Sequence, residues 1–352
     1  MKRITGTSFY SFAKCPRLAA LDLHLDRKER RPPHPWEEFV ARRGREFEAV
    51  FVRDLGAVEP EYPERDFAAG ALATLELLQH GVPWIYQAVL RGEHRLGLPD
   101  LLRRVAGASA LGDFHYEVVD VKSSGRARGD QILQVSFYSR LLAAIQQRVP
   151  EHGALVLKDG REERFLLADY AAAAATVDQQ LERLLGDVAG ARPFLAPACD
   201  SCHWNHRCLP ELQARQDLSL VQGMSHGARA ILESLGVNTV AELATFEPEG
   251  ARARGNLDAV LIRKLRRAAQ AMLLGKPIAE ARPRQASLEP AAIVHLLTDP
   301  WAGRVLAFGV LSPAREDGAF AWARPVSRAD EWRSFLQLLA TLPRAALLDF
   351  AG

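Results

Sequence analysis

Cysteine is scarce in this chain, four in 352 residues. Long apolar runs are missing as well. Charges interrupt every apolar stretch well short of the roughly 20 residues that a membrane-spanning helix needs, which excludes an integral helical membrane protein. No collagen-like repeat and no long low-complexity tail occurs, so fibrous and wholly disordered classes are excluded too. The opening text MKRITGTSFYSFAKC lacks an apolar core and a small-residue cleavage site, and a cytoplasmic chain with reduced thiols is expected. Net charge is nearly absent: 45 Lys and Arg against 43 Asp and Glu leave +2, which argues neither for nor against a nucleic-acid partner. What remains, 48% apolar and 25% charged residues, is an ordinary globular composition long enough for two or three domains.

The few cysteines fall in one pattern. Cys15 stands alone near the start, and Cys199, Cys202 and Cys208 crowd into CDSCHWNHRC. One distant thiol and a C-x2-C-x5-C group supply the ligands of a closed four-coordinate metal site. Disulfides are the bland alternative, which reduced cytosolic thiols disfavour. Zinc and a [4Fe-4S] cluster both accept four thiolates, and the spacing alone does not separate them. His203 and His206 lie inside the group and could replace a thiolate in a zinc site. Either way the ligands pin together the two ends of one domain.

Periodicity sketches that domain. Apolar residues at helical spacing predict a helix over 35–55, and another over 67–80. Strands are expected at 84–91, across LGLPDLLRRV with Asp100 on it, and at 114–124. A helix is expected over 130–148, then the strand ALVLKDG with a turn at Asp159-Gly160, then an alanine-rich helix over 168–190. Strands alternating with helices predict a mixed sheet with helices on its faces. After Cys208 two short helices joined at LGV, the second capped by Thr239, predict a helix-hairpin-helix-like module. From about 290 strands return, with one helix before the last of them. Basic runs at 26–31, 41–45 and 251–269 read as solvated helix faces or as contacts to an anionic partner.

The chemistry gathers around two acids and a lysine. Asp120 and Lys122 flank Val121, so strand alternation puts both on one face while Val121 points into the packing. Asp100 precedes them on the neighbouring strand. Two converging carboxylates and a backbone carbonyl, that of Val121, can hold Mg2+ or Mn2+. Such an ion and a lysine ammonium together outline a phosphodiester hydrolysis site. The D-x-K triplet carries little by itself: Asp26-Arg27-Lys28 is a second match with no apolar strand around it. Gln134 and Tyr138 follow at i, i+4 on the next helix and present an amide and a phenol on one face.

These residues, bracketed by one cysteine before and three after, resemble the RecB-like branch of the PD-(D/E)XK nucleases. More narrowly they resemble its iron–sulfur group, which includes the CRISPR adaptation exonucleases and the AddB-like repair nucleases. The likeness covers roughly residues 8–212. It implies a restriction-endonuclease-like fold, a [4Fe-4S] cluster on Cys15, Cys199, Cys202 and Cys208, metal binding by Asp100 and Asp120, catalysis by Lys122, and contact of Gln134 and Tyr138 with DNA near the scissile phosphate. One departure stands out. The family often carries a metal-binding histidine a few residues after a glycine on the first core helix, and Phe47 occupies that place after Gly44 here. Glu48 could supply a carboxylate instead.

The layout also resembles a bacterial subfamily of RecB-like nucleases in which a helical linker and an RNase H-like domain follow the nuclease. The expected domains are therefore a nuclease over 1–212, a helical module over 213–285, and a degenerate, incomplete RNase H-like segment over 286–352. In that last segment IVHLLTDP keeps Asp299-Pro300 but has His295 and Leu297 where two carboxylates are expected. The expected function is a metal-dependent DNA nuclease acting on single strands or ends, in DNA repair or defence, with the cluster as a structural staple. An inactive nucleic-acid-binding protein of the same fold, and a zinc-stabilised adaptor, are the alternatives.

Overall fold

The computed structural model describes residues 2–188, 190–247, 258–278, 291–299, 304–311, 320–323, 330–340 and 346–349. It divides into two compact units, Met1–Ile278 and Ala279–Gly352. The expected helical module has a small core of its own, with Leu218, Leu232, Leu243 and Leu265, but belongs to the first unit.

The chain enters through strand β1 (Ile4–Thr5), helix α1 (Gly6–Lys14) and helix α2 (Pro16–His24). Thr5 and Ser8 close a capping box at the start of α1, and Pro16 opens α2 at a position that needs no N–H. Helix α3 (Pro35–Leu55) stops at Gly56, whose φ of +62° suits a residue without Cβ, and α4 (Phe67–Gln79) is capped by Asp66. Then follow β2 (Trp84–Tyr86), β3 (Leu90–Arg91), β4 (Arg95–Gly97), β5 (Leu101–Ser109), β6 (Gly112–Val121), α5 (Gly129–Gln146), β7 (His152–Val156), β8 (Glu162–Leu166) and α6 (Ala171–Gly186).

The central sheet runs β2-β5-β6-β7-β8, with β6 and β7 parallel across the α5 crossover and the other pairs antiparallel. A small second sheet, β1-β4-β3, lies beside it in sequence. Alternation gives the central sheet two faces. Leu102, Tyr116 and Val118 join Phe9 of α1, Val135 and Leu142 of α5, and Leu181 of α6 in the main core. Burying each such aliphatic side chain contributes roughly 1.5–3 kcal/mol. On the other face Leu101, Val119 and Val121 receive Phe47, Phe51 and Leu55 of α3.

Three expectations need correction. The strand expected over 84–91 is two strands in different sheets, because Gln87 takes a left-handed φ of 51° between them and turns the chain. Asp100 is not on a strand: it follows Pro99, which has no ladder donor, and β5 starts one residue later. The alanine-rich helix begins at Ala171, after a short 3-10 turn, and ends at Gly186.

Helices α7 (Asn205–Ala214), α8 (His226–Ser234), α9 (Val240–Thr245) and α10 (Ala259–Leu274) complete the first unit. Gly236, at φ +84°, makes the turn between α8 and α9, and Thr239 with Glu242 forms the capping box of α9. The second unit holds β9 (Ala291–Asp299), β10 (Arg304–Leu311), β11 (Phe320–Ala323), α11 (Glu331–Ala340) and β12 (Ala346–Asp349). Its sheet runs β11-β10-β9-β12, antiparallel except that β12 lies parallel to β9. His295 and Leu297 are exposed on β9, and Asp299 ends that strand. Pro300 lies outside the described residues.

Candidate active site and thiol cavity

The carboxyl end of β6 and the turn before β5 meet at Asp100 and Asp120. Each acid is fixed by the other strand's backbone: Asp100 N–H donates to Asp120 Oδ1 at 3.1 Å, and Val121 N–H donates to Asp100 Oδ2 at 2.8 Å. Lys122 is the first residue past β6, held there by its N–H on the Val156 carbonyl at 2.7 Å. Its ammonium lies 2.7 Å from Asp120 Oδ2. That oxygen is buried and accepts no hydrogen bond of good direction. Asp120 is 1% exposed. An anion so placed needs a cation beside it.

Gln134 and Tyr138 come from α5, and Gln134 Nε2 donates to the Tyr138 hydroxyl at 2.9 Å. The Tyr138 ring is buried against two glycines. A Cβ on Gly6 would fall 2.2 Å from its hydroxyl, and one on Gly97 3.0 Å from its ring. Glu48 is half-buried and accepts from the Tyr86 hydroxyl at 3.0 Å and from Gln87 Nε2 at 3.4 Å. Phe47, one position earlier, turns into the apolar layer with Val121.

Electrostatics bind these groups together. Burial, then the charge of Asp120, pushes Asp100 well above the usual carboxylate range; Lys122 opposes this and Glu48 adds to it. For Lys122 burial works against the ammonium, but Asp120 and Asp100 outweigh it and the pKa moves up. Burial and the charge of Asp120 raise the Tyr138 phenol well above its ordinary value. Tyr86 is pushed up to about 12 by burial and by Glu48. Lys122 is thus held as the ammonium of the site, and the phenols of Tyr138 and Tyr86 keep their protons at neutral pH.

The four cysteines are free thiols, each partly buried. Cys15 sits at the joint between α1 and α2, Cys199 ends a short 3-10 turn, and Cys208 lies on α7. All four border one cavity of about 290 Å3 without drawing into a tight group. Burial raises the Cys15 and Cys202 thiols and pushes Cys208 up to about 11, with Arg17 opposing the last shift. Such thiols give up their protons when a metal takes their place. His203 is engaged elsewhere: its Nε2 meets Asp22 Oδ1 at 2.8 Å, where Trp204 Nε1 donates at 2.9 Å and Arg30 at 2.6 Å. His206 is exposed. Helix α7 is tied to α2 as well, by Arg17 to Glu211 at 3.2 Å.

Asp100, Asp120, Lys122, Gln134, Tyr138 and Glu48 therefore belong to one electrostatic neighbourhood, and the cysteines to one cavity. Among the described residues no three His, Cys, Asp or Glu side chains gather closely enough to cage a single ion by themselves. Sequence reasoning missed three residues. Tyr86 and Gln87 anchor Glu48, and Tyr10 reaches both Lys122 and Arg128. The only signal was that Tyr10 precedes Cys15 by little more than one helical turn. Neither protein-family models nor the curated proteins match this chain.

Proposed function

We propose that this chain is a metal-dependent nuclease of the RecB-like PD-(D/E)XK type, acting on single-stranded DNA or DNA ends and stapled by a [4Fe-4S] cluster. One observation carries the reading: two mutually fixed carboxylates, an adjacent buried ammonium and an amide–phenol pair share one end of a mixed sheet. Asp100, Asp120 and the Val121 carbonyl would hold the divalent ion, with Glu48 the nearest further acid. The donor set, two acids with Asp120 buried beside a backbone carbonyl, is the feature that fits a divalent cation. When bound, Mg2+ or Mn2+ supplies polarisation of the phosphate and a water of lowered pKa.

The chain's own residues do the rest. Lys122 stays protonated, so it acts as a fixed charge that steadies an oxyanion and not as a proton acceptor. Gln134 spends its amide proton on the Tyr138 oxygen, which leaves the phenol proton of Tyr138 to donate to a phosphate oxygen. Glu48, held by Tyr86 and Gln87, is pre-set where its charge acts on Asp100. A chain with only a binding role has no use for two carboxylates facing a polyanion.

The four thiols spread around one cavity, which suits a multi-iron group better than one zinc ion, whose four sulfurs at about 2.3 Å would touch one another. As a staple the cluster would join α2 to the loop before α7. The second unit, read as a degenerate RNase H-like segment, lacks carboxylates at His295 and Leu297 and has no catalytic part in this reading.

The test is cleavage of end-labelled single-stranded DNA by anaerobically purified protein with Mn2+ or Mg2+. Wild type should cleave, while Asp120→Ala and Lys122→Ala should lose at least about a hundredfold with the brown colour kept. Colourless protein would remove the cluster from the reading. Folded, brown protein that binds DNA but never cuts it would favour the binding role instead.

A further inference from the structure

Helix α1 bears Gly6, Tyr10 and Lys14 at intervals of four, so all three share one stripe of a helix about 13 Å long. Gly6 lies against Tyr138. Tyr10 interacts with Lys122 and with Arg128 of the loop that follows it. The Lys14 ammonium sits 4.1 Å from the centre of the Tyr10 ring. Tyr10 and Lys14 also border the thiol cavity, as does Arg27. Charge interaction at the Lys122 end and ring contact at the Lys14 end thus link the lysine of the site, along α1, to the rim of the thiol cavity.

The charges on this line are unequal. Lys14, Arg27 and Arg126 are exposed, and among the described residues no acid pairs with them. The neighbouring acids are engaged. Asp130 holds Arg128, Glu29 holds Arg207, Asp26 caps a backbone turn, and Asp22 takes the three donors already described. What is left over is cationic, with an aromatic ring midway.

We propose that the Tyr10–Lys14 stripe of α1, with Arg27 at its cavity end, is the track along which a single nucleic-acid strand runs between the site and the thiol cavity. The proposal rests on the nuclease reading and adds the strand's route. Cations in single file follow one phosphate backbone, whereas a duplex presents two. Spaced cations beside an aromatic ring, here the half-buried Tyr10, are a means by which proteins hold single strands without reading sequence. Ending the track at the cavity rim couples strand binding to the staple, because Cys15 follows Lys14 directly.

The experiment uses the full chain with its brown chromophore, in buffer free of divalent cations, and a fluorescein-labelled oligothymidylate of about twenty nucleotides. Anisotropy gives the affinity at several salt concentrations for wild type, Lys14→Ala, Arg27→Ala, the double variant and Lys14→Arg. Each alanine should weaken binding about fivefold and lower the log–log salt slope by about 0.7, and the double variant by about 1.4. Lys14→Arg should retain both. Unchanged affinity and slope in the double variant, with wild type binding the strand, would overturn the track and leave the nuclease reading intact. Equal binding of a duplex, equally weakened by the substitutions, would overturn the single-strand assignment. Wild type that binds neither probe would overturn the track, while Asp120-dependent cleavage scores the nuclease reading separately.

Discussion

Replacing Gly6 by alanine adds one methyl group where no space exists. Its Cβ would lie 2.2 Å from the Tyr138 hydroxyl, 2.3 Å from the ring carbon bearing it and 2.5 Å from the next. The ring is 4% exposed, and Gly97 lies close enough that a Cβ there would stand 3.0 Å from it, so little space is left for the ring to shift into. Overpacking of this kind costs about 1–3 kcal/mol. The better helix propensity of alanine returns up to about 1 kcal/mol in a helix interior, and less at the first position of α1. A net loss of about 1–2 kcal/mol is expected, a fall in melting temperature of about 2–8 °C for a unit of this size.

Activity should fall further than stability. A displacement near 1 Å of Tyr138 can remove about a hundredfold in rate. A double-mutant cycle isolates the contact: in a Tyr138→Ala background, Gly6→Ala should cost less than about 0.5 kcal/mol, giving a coupling of about 1–2 kcal/mol. Urea unfolding of the four proteins measures it. Additive losses would show that the two residues do not share the space and that α1 does not set the Tyr138 ring.

Two further outcomes follow from charge. Burial raises Asp22, but the bonds from His203 and Trp204 and the charge of Arg30 lower it more, so its pKa lies below the usual value. Its stabilisation is present above the ordinary carboxylate pKa and lost as pH falls. Asp22→Ala should therefore cost about 2–4 kcal/mol at pH 7, flatten the acid limb of melting temperature against pH, and weaken retention of the brown absorbance; an unchanged acid limb would refute this. Asp100 is shifted the other way, so its contribution is present at low pH and lost as pH rises through its raised pKa. In divalent-free buffer Asp100→Asn should melt above wild type at pH 8, with the gap closing towards pH 4, and a lower melting point at pH 8 would contradict the assignment.

Much of this arrangement is legible in the residue order because the relevant patterns are local. The apolar spacing of α3, the β-branched text of β6 and the Thr239 cap each act within a few residues; α3 and the cap form where they are expected, while β6 stops at Val121, three residues short of the expected end, and leaves Lys122 just past it. Alternation around Val121 reads correctly too, since Val121 packs under α3 while Asp120 and Lys122 turn to the α1 and α5 side. What escapes is non-local. Nothing near Glu48 announces that a tyrosine 38 positions later will hold it. Tyr10 gains its place beside Lys122 only when α1 packs on α5. The break at Gln87 depends on a left-handed backbone that glutamine seldom takes, paired with the Asp100 carbonyl at 3.0 Å.

The joint between α2 and the loop before α7 also sets a clock for synthesis. Arg17 and Asp22 leave the ribosome early, and their partners Glu211 and Trp204 lie 194 and 182 residues downstream. At about 5–20 residues per second, that delay is on the order of ten seconds or more. Through it the first helices have no lid: Asp22 lacks its donors, and Cys15 is a lone thiol open to oxidation. Closure is thus a late, long-range event, and its vulnerability falls on the newborn chain more than on the finished protein.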